Sequence, residues 1–484
     1  MHKPLTLTTA LAPLVLLVSL LALSVLLFGA DSSYGANQVA LLFSAAFTGL
    51  VGLHRGLSWR DIEQGIQDAI SMCVAPLLIL MAVGMLIGAW ILAGTIPALI
   101  YYGVEILNPT YFYAASALIC AIIATSIGSS WTVAGTMGIG LMAIAGSFGL
   151  SPAIAAGAII SGAYFGDKLS PLSDTTNLAA AVTGVDLFSH IRHMLWTTVP
   201  SFAIALIIFS LIGGEAATPP SEIAELRQNM TEQFNLGLHL LLPLLIMLGL
   251  AWRRVAALPA ILISTLMGVS FALLFQPQAV MALAGDAHGL STPLLKLKGV
   301  WISLFSGFTS SSSSPFLDQL LSKGGMASML NTVSLIICAM AMGGTLQRVG
   351  ILEYLVNAAL KRAHSKGALI ATTVATCTTT NLMTADQFIA ISIPGTMYRA
   401  EFDRRGISRL DLSRTLEDSA TLTSALVPWN TCGAYMAATL GVATLSYAPF
   451  AFFNYLCPLI AIIYGYAGIG QKLADTAGPQ GSRA

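Results

Sequence analysis

Gly166-Asp-Lys-Leu-Ser-Pro-Leu-Ser-Asp-Thr-Thr-Asn177 interrupts an apolar run, with Ala153–Phe165 before it and Leu178–Val182 after it. The stretch holds two carboxylates, an ammonium group, four hydroxyls, a proline and a carboxamide. Each charge in mid-membrane costs about 2.5–3.5 kcal/mol, so such groups persist mainly along substrate or ion paths. The stretch therefore predicts a transmembrane helix that Pro171 breaks, with an ion site at the break. The alternative is a polar turn outside the membrane, in which Asp174 caps a helix that begins at Thr175.

The composition indicates a membrane protein. Of the 484 residues, 56% are hydrophobic and only 9% are charged, and the mean hydropathy is +0.80. Soluble domains carry about 25% charged residues, so we expect an all-α polytopic fold whose partner is the lipid bilayer. The 22 basic and 22 acidic residues cancel, which argues against a nucleic-acid partner.

Catalysis and resident cofactors are not expected. The six cysteines lie singly in apolar context, without metal-ligand or redox spacing. No nucleophile, base and orienting group occur together in the sequence. We therefore expect neither an enzyme nor a cofactor.

A second polar interruption lies in Tyr111–Ala145, where Ser126–Thr132 separates two apolar arms. Each arm is too short to cross a bilayer alone, which predicts a re-entrant hairpin over about 111–147. The broken helix is predicted over about 152–185.

The second half of the chain repeats this order of elements. A shift of 251 residues carries the polar tip Gly128–Thr132 onto Thr379–Met383 and Asp167 onto Asp418. It predicts a second hairpin over about 363–398 and a second broken helix over about 409–440. A shift of 256 carries Gly88 and Gly94 onto Gly344 and Gly350. Such duplicated halves are typical of transporters. We predict repeats at 1–213 and 235–470, an extracytoplasmic linker at 214–234 and a cytoplasmic tail at 471–484.

Positive charge predicts the orientation of the halves. The second hairpin is flanked by the basic segments Lys361–Lys366 and Arg399–Arg409, whereas no Lys or Arg flanks the first at Asn108-Pro109 or Gly149–Pro152. Basic loops stay in the cytoplasm. The repeats are therefore predicted to be inverted, with both termini cytoplasmic. We expect about ten full spans, two of them broken, and two re-entrant hairpins.

Oxygen-bearing side chains dominate the predicted tips and breaks, and they suit Na⁺ or H⁺ rather than a transition metal. In the first half they are Ser129, Ser130, Thr132, Asp167, Ser170, Ser173, Asp174 and Asn177. In the second half they are Thr380, Asn381, Asp386, Glu417, Asp418, Thr421, Thr423, Ser424, Asn430 and Thr431. Because a carboxylate releases a bound cation when it is protonated, one Asp can exchange the two ions. Asp167 and Asp418 are the symmetric candidates, and the Na⁺ ligands are predicted to come from Asp167, Asp174, Asn177, Asn381 and Asp418.

Structural roles remain open for several of these residues. Ser129 and Thr380 would cap short helices, and Asp386 would act as a hydrogen-bond acceptor. Glu417 would pair with Arg414, three residues earlier. Lys168 would pair with Asp167 or Asp174. The histidines are predicted mostly in loops.

Several motifs resemble those of one transporter family. They are Ala156–Ala163 leading into Gly166–Ala179, Gly88-Ala-Trp90, Gly94-Thr-Ile-Pro97, Tyr101-Tyr-Gly103, Asp386-Gln387, Pro394–Tyr398, Leu412-Ser-Arg414, Glu417-Asp418 and Pro428–Gly433. In order, between Pro76 and Pro458, they are similar to the NhaC family of Na⁺/H⁺ antiporters. Ser310–Ser314 stands where that family has an Asn-containing turn, which leaves the substrate open.

The resemblance implies Na⁺/H⁺ exchange in the cell inner membrane by a dimeric, inverted-repeat transporter of the elevator type. The alternative is a Na⁺- or H⁺-coupled carrier of a small organic acid, such as malate or lactate, or of an amino acid, since members of the family also transport these solutes. A hydroxyl-rich helix N-terminus would then bind the carboxylate of the solute.

Overall fold

The computed structural model describes residues 4–29, 32, 34–213, 218–285, 289–312, 314–361 and 363–469. Every regular element in these residues is helical. The first part of the chain forms α1 Leu7–Phe28, α2 Ala36–His54, α3 Trp59–Met72, α4 Val74–Leu92, α5 Thr95–Ile106, α6 Phe112–Ile127, α7 Ser130–Val133, α8 Ile139–Ser147, α9 Pro152–Leu169, α10 Asp174–Thr183 and α11 Leu187–Leu211. A π-helical turn, Ala134–Gly138, joins α7 to α8.

The remainder of the chain continues the helical pattern. It forms α12 Pro220–Gln233, α13 Leu242–Trp252, α14 Ala257–Phe275, α15 Pro277–Ala284, α16 Thr292–Ser306, α17 Pro315–Leu321, α18 Leu330–Val349, α19 Ile351–Leu360, α20 Lys366–Thr384, α21 Gln387–Arg404, α22 Arg409–Leu416, α23 Leu422–Ser424, α24 Thr431–Leu440, α25 Thr444–Tyr447 and α26 Phe452–Ala467. A second π-helical turn, Glu417–Thr421, joins α22 to α23.

Seven helices of the described segments are long and apolar enough to cross a membrane, or up to nine spans if each of two bent helix pairs counts as one. Neither predicted broken helix is among these nine. The all-α polytopic prediction is confirmed.

The predicted linker and tail are only partly covered by the structure. Residues 214–217 of the linker and the tail 471–484 lie outside the described residues. Much of the rest of the linker forms α12, whose Arg227 guanidinium lies 4.3 Å from the centre of the Tyr101 ring on α5.

The first broken helix is interrupted inside the opening stretch. Ser170–Ser173 separates α9 from α10. The Asn177 side chain donates to the Pro171 and Ser173 carbonyl oxygens, at 3.0 and 2.7 Å, and so holds the broken backbone in place. Asp174 is the first residue of α10 and Ser173 is its N-cap, so Asp174 does not cap a helix that begins at Thr175.

The second hairpin turns later than the 251-residue shift predicted. Thr379–Met383 lie within α20, and the tip is Ala385-Asp386. A shift of 257 relates the left-handed residues at the two tips, Gly128 and Ala385. The same shift relates the left-handed caps of α10 and α24, Gly184 and Gly441, so the earlier register was six residues short. The sequence identities that predict the 251-residue shift are sparse, whereas the backbone turns mark the register directly.

Close packing of α6 on α9 fixes the position of the first break. A Cβ atom on Gly162 would collide with the Ala117 carbonyl oxygen, and one on Gly166 would collide with that of Ala121. Small residues four apart let membrane helices approach closely. This contact holds the end of α9, which carries Asp167 and Lys168, beside the hairpin tip.

Candidate functional site

Asp167 is bound to the tip of the first hairpin. Its Oδ2 atom accepts hydrogen bonds from the Ser130 backbone N–H at 2.9 Å and from the Ser130 hydroxyl at 2.7 Å. The N-terminus of a helical segment favours a negative charge at this place. Ser129 accepts from the Thr132 N–H at 3.2 Å, so it caps the helix, as its alternative role predicted.

Hydroxyls of the first break reach the second half of the molecule. The Ser173 hydroxyl lies 3.1 Å from the Thr175 hydroxyl. Thr175 in turn donates to Glu417 Oε1 at 2.9 Å. Two hydroxyls of the first break, those of Ser173 and Thr175, therefore lead to the Glu417 carboxylate of the second half.

The other residues of the first break lie at its edge. Asp174 and Asn177 are exposed, and Asn177 bonds only backbone carbonyls in the hydrogen bonds described above. The Ser170 hydroxyl accepts from the Leu172 N–H at 3.3 Å. These contacts stabilise the broken backbone, and the structure does not bring Asp174 or Asn177 together with Asp418.

A buried ion pair joins the two halves. Lys168 binds Asp418 through Oδ1, and both side chains are fully buried. Lys168 therefore pairs with neither Asp167 nor Asp174, which corrects the sequence-based expectation. The same Asp418 oxygen accepts from the Thr197 hydroxyl at 3.0 Å and from the Cys457 thiol at 3.3 Å.

Glu417 does not pair with Arg414, because Arg414 lies among aspartates. Its Nη2 atom is 3.3 Å from Asp411 Oδ1 and its Nε atom is 4.0 Å from Asp418 Oδ2. The π-helical turn that begins at Glu417 lets the neighbouring side chains of Glu417 and Asp418 reach different partners.

Two histidines predicted in a loop lie in α11. His190 and His193 are buried, because α11 begins at Leu187, earlier than its apolar run indicates. His190 Nδ1 is 2.8 Å from the Ser413 hydroxyl, and His193 Nε2 is 2.9 Å from Asp411 Oδ1.

The second tip and break form a network of amides and hydroxyls. Asn381 donates to the Ala420 carbonyl oxygen at 2.6 Å and to the Thr423 hydroxyl at 2.9 Å. Asn430, the N-cap of α24, donates to Asn381 Oδ1 at 3.2 Å. These contacts tie the hairpin arm α20 to the break at Ala425–Asn430.

Several second-half candidates have structural contacts. Asp386 accepts from the Ile389 N–H at 2.9 Å and caps α21. The hydroxyls of Thr380 and Ser424 donate to the carbonyls of Thr376 and Thr421, at 2.8 and 2.6 Å. Thr421 Oγ1 is buried without a hydrogen-bond partner in the described part of the chain.

Charge in the site is not balanced by protein groups. Five buried acids, Asp167, Asp386, Asp411, Glu417 and Asp418, lie in and around the tips and breaks, and the cations that pair with them are Lys168, Arg414 and Lys366. The negative charges therefore exceed the positive ones by two, an excess that bound H⁺ or Na⁺ would neutralise. In the described ranges, no group of three or more His, Cys, Asp and Glu side chains could hold a metal ion.

Some site residues were missed from the sequence. Thr175 lies inside the opening stretch and is one helical position from the predicted Asp174. Thr197 and Cys457 lie in long apolar segments, where one hydroxyl or thiol carries no signal. Arg414 did carry a sequence signal, because it precedes Asp418 by four residues and so shares its helix face.

Comparisons with known proteins agree with the motifs. Residues 162–469 match the model of the Na⁺/H⁺ antiporter family. The Na⁺/H⁺ antiporter NhaC of Alkalihalophilus pseudofirmus is 38% identical over 446 residues, which are 91% of this chain and 92% of the relative. A malate-2H⁺/Na⁺-lactate antiporter of Bacillus subtilis is 35% identical over 434 residues, 89% of each chain.

Among solved structures, Neisseria gonorrhoeae MtrF, described as one of a class of antimetabolite efflux pumps, aligns with 93% of this chain and 94% of its own. The TM-score of this alignment is 0.36, at 14% identity. The family match and the extensive identity to NhaC suffice: the chain belongs to the NhaC family of Na⁺/H⁺ antiporters.

Proposed function

We propose that this protein exchanges Na⁺ for H⁺ across the cell membrane, with Asp167 and Glu417 as the ion-binding carboxylates. The family supports the reaction, and the contacts of the site support the choice of residues. Asp418, an equal candidate by sequence, has a cation of its own in Lys168. Asp167 and Glu417 have hydroxyl and backbone N–H donors instead.

The observation that carries this proposal is the state of Glu417. Its side chain is fully buried, Oε1 accepts from Thr175, and Oε2 has no hydrogen-bond partner among the described residues. A buried carboxylate is unfavourable unless it takes up a proton or has a cation nearby. Binding H⁺ and Na⁺ in turn is the chemistry of an exchanger.

The exchange follows from competition between the two ions. Ionised Glu417 and Asp167, with the hydroxyls of Ser173 and Thr175, offer hard oxygen ligands to Na⁺. Protonation removes the charge that holds Na⁺, so H⁺ bound from one side displaces Na⁺. Asp418 takes no part in this competition, because its negative charge is paired with Lys168.

The wider arrangement is part of the same proposal. We place the protein in the cytoplasmic membrane as a homodimer of inverted repeats, with both termini cytoplasmic. A cavity of about 540 Å³ lies between α4 and α18 on one side and α8 and α24 on the other, and it reaches Pro428 in the second break. Movement of the hairpins and breaks against α4 and α18 would alternate access to the site.

The proposal is tested by reconstitution. When NaCl is added to proteoliposomes under a pH gradient, the purified protein should move protons across the membrane. A pH-sensitive dye reports this movement. Glu417→Gln should abolish the signal, because the amide keeps the shape but cannot change its charge. Glu353→Gln, at an exposed position on α19, is the matched control and should transport normally.

Full exchange by correctly folded Glu417→Gln would remove Glu417 from the mechanism. Absence of any Na⁺-driven proton movement in the wild type, with the protein intact in the vesicles, would contradict the exchange itself.

A second function is supported by the size of the cavity. Its volume of about 540 Å³ lies within the range of small-molecule sites and far exceeds what Na⁺ requires. It would admit a small organic acid, as the malate- and lactate-carrying relative suggests. Addition of malate or lactate to the same vesicles separates the two: only the carrier should show solute-dependent ion movement.

A further inference from the structure

Asp418 lies between two cations but is hydrogen bonded to one. The Asp418 Oδ1 atom forms an ion pair with Lys168, whereas Oδ2 lies 4.0 Å from Arg414 Nε. Neither Asp418 Oδ2 nor Arg414 Nε has a hydrogen-bond partner within the described segments. Arg414 is 1% exposed, so solvent does not replace that contact. The Arg414 guanidinium is therefore a second cation next to Asp418 that is not hydrogen bonded to it.

Asp411 holds Arg414 in this position. Asp411 Oδ1 is 3.3 Å from Arg414 Nη2 and also contacts His193 Nε2 at 2.9 Å. Asp411 Oδ2 is 3.1 Å from Lys366 Nζ. Groups from α11, α20 and α22 thus converge on one carboxylate that is 1% exposed. This geometry fixes Asp411, and Asp411 restrains Arg414.

The resulting charge chain consists of Lys366, Asp411, Arg414, Asp418 and Lys168, in which the sign alternates. The Lys366 side chain is 29% exposed, and the other four are at most 1% exposed. Coulomb interactions are strong where water is excluded. Removal of one charge would therefore redistribute the partners of the next.

We propose that Asp411 is a positioning residue for the ion site: it keeps Arg414 off Asp418, so that Asp418 retains Lys168. Lys168 then forms its ion pair with Asp418 and not with the neighbouring carboxylates Asp167 and Glu417, which stay available to Na⁺ and H⁺. The last step rests on the proposed exchange function, whereas the competition between Arg414 and Lys168 for Asp418 does not.

Transport kinetics separate positioning from mere structural support. In Asp411→Asn, Arg414 should move onto Asp418 and partly release Lys168 to compete with Na⁺. The apparent KM for Na⁺ should rise about fivefold or more, at the lower end of couplings between sites. The kcat should be kept, and Asp411→Glu should restore the KM. A fall in kcat at unchanged KM would overturn the proposal.

A double-mutant cycle tests the competition without transport. The Tm of the purified full-length protein is measured in detergent for Lys168→Met, in the wild-type and in the Asp411→Asn background. Lys168→Met should lower Tm less in the Asp411→Asn background, because Arg414 then forms the ion pair with Asp418. Equal losses in both backgrounds would overturn the proposal, even if Na⁺/H⁺ exchange is confirmed.

A second pair keeps the test decisive if Asp411→Asn does not fold. Lys168→Met and Arg414→Gln together leave Asp418 without a cation, so their combined loss of Tm should exceed the sum of the single losses. A simple sum would overturn the role of Arg414. Failure of exchange in wild-type vesicles would instead reject the proposed function. The Tm values would still decide whether Arg414 and Lys168 compete for Asp418.

Discussion

At the scale of single residues, two aspartates of one stretch have different surroundings. Asp167 is 8% exposed and accepts two hydrogen bonds from Ser130, whereas Asp174 is exposed at the start of α10. The sequence places both in the same polar run and cannot rank them, because ranking depends on which side of the break faces the second half. The structure supplies that difference.

Asp167→Asn should abolish Na⁺/H⁺ exchange while insertion and folding are kept, because the amide cannot cycle a charge. Asp174→Asn should lower the apparent Na⁺ affinity and keep part of the turnover. Dye-based transport assays on both purified variants, with circular dichroism as the folding control, test the contrast. Equal and complete loss in both would show that the burial difference does not divide their roles.

At the scale of elements, the sequence predicted both interruptions but not their partners. Pro171 and the charges around it identify the first break, because helix breakers and charges in an apolar run have few explanations. The second tip was predicted too early in the sequence, because Asp386 follows a threonine-rich run that is itself helical. The Lys168–Asp418 pair was missed, because contacts between residues 250 apart leave no local pattern.

The contact of α6 with α9 makes a separate prediction. Gly162→Ala should destabilise the protein by about 1–3 kcal/mol or more, because the added methyl group meets the Ala117 backbone. Gly249→Ala on α13 is the control, since nothing lies within 4 Å of its added Cβ. The Tm values of the two variants in detergent provide the comparison. A normal Tm for Gly162→Ala would mean that α6 and α9 are less closely packed than described.

At the scale of the whole molecule, the orientation of the halves is still a prediction. Cysteines introduced at Ser365 and Ser408 should react only with a reagent on the cytoplasmic side. One at Gly149 should react only from outside, because no basic residue holds that loop in the cytoplasm. Labelling of intact cells and inverted vesicles with an impermeant maleimide distinguishes the sides, and reaction of Ser365→Cys and Gly149→Cys from the same side would exclude inversion.

Coupling between the ions predicts the pH dependence. If Na⁺ and H⁺ share Asp167 and Glu417, acidification protonates the carboxylates and weakens Na⁺ binding. Each pH unit below their pKa should then lower the apparent affinity about tenfold in a one-proton model. Saturating Na⁺ should restore the maximal rate. Calorimetric titration of Na⁺ at several pH values tests this, and an affinity that is independent of pH but strengthened by malate would favour the organic-acid carrier.

The pairing of Lys168 with Asp418 also has a consequence for biogenesis. Lys168 is synthesised 250 residues before its partner, which is roughly 10–50 s at ordinary rates of translation. During that interval an ammonium group in α9 lacks its native counter-ion, at a cost of about 2.5–3.5 kcal/mol if it lies at mid-membrane. The N-terminal half should therefore settle into the bilayer only when the C-terminal half arrives. Expressed alone, it should be a substrate for membrane quality-control proteases, and co-expression of the other half should rescue it.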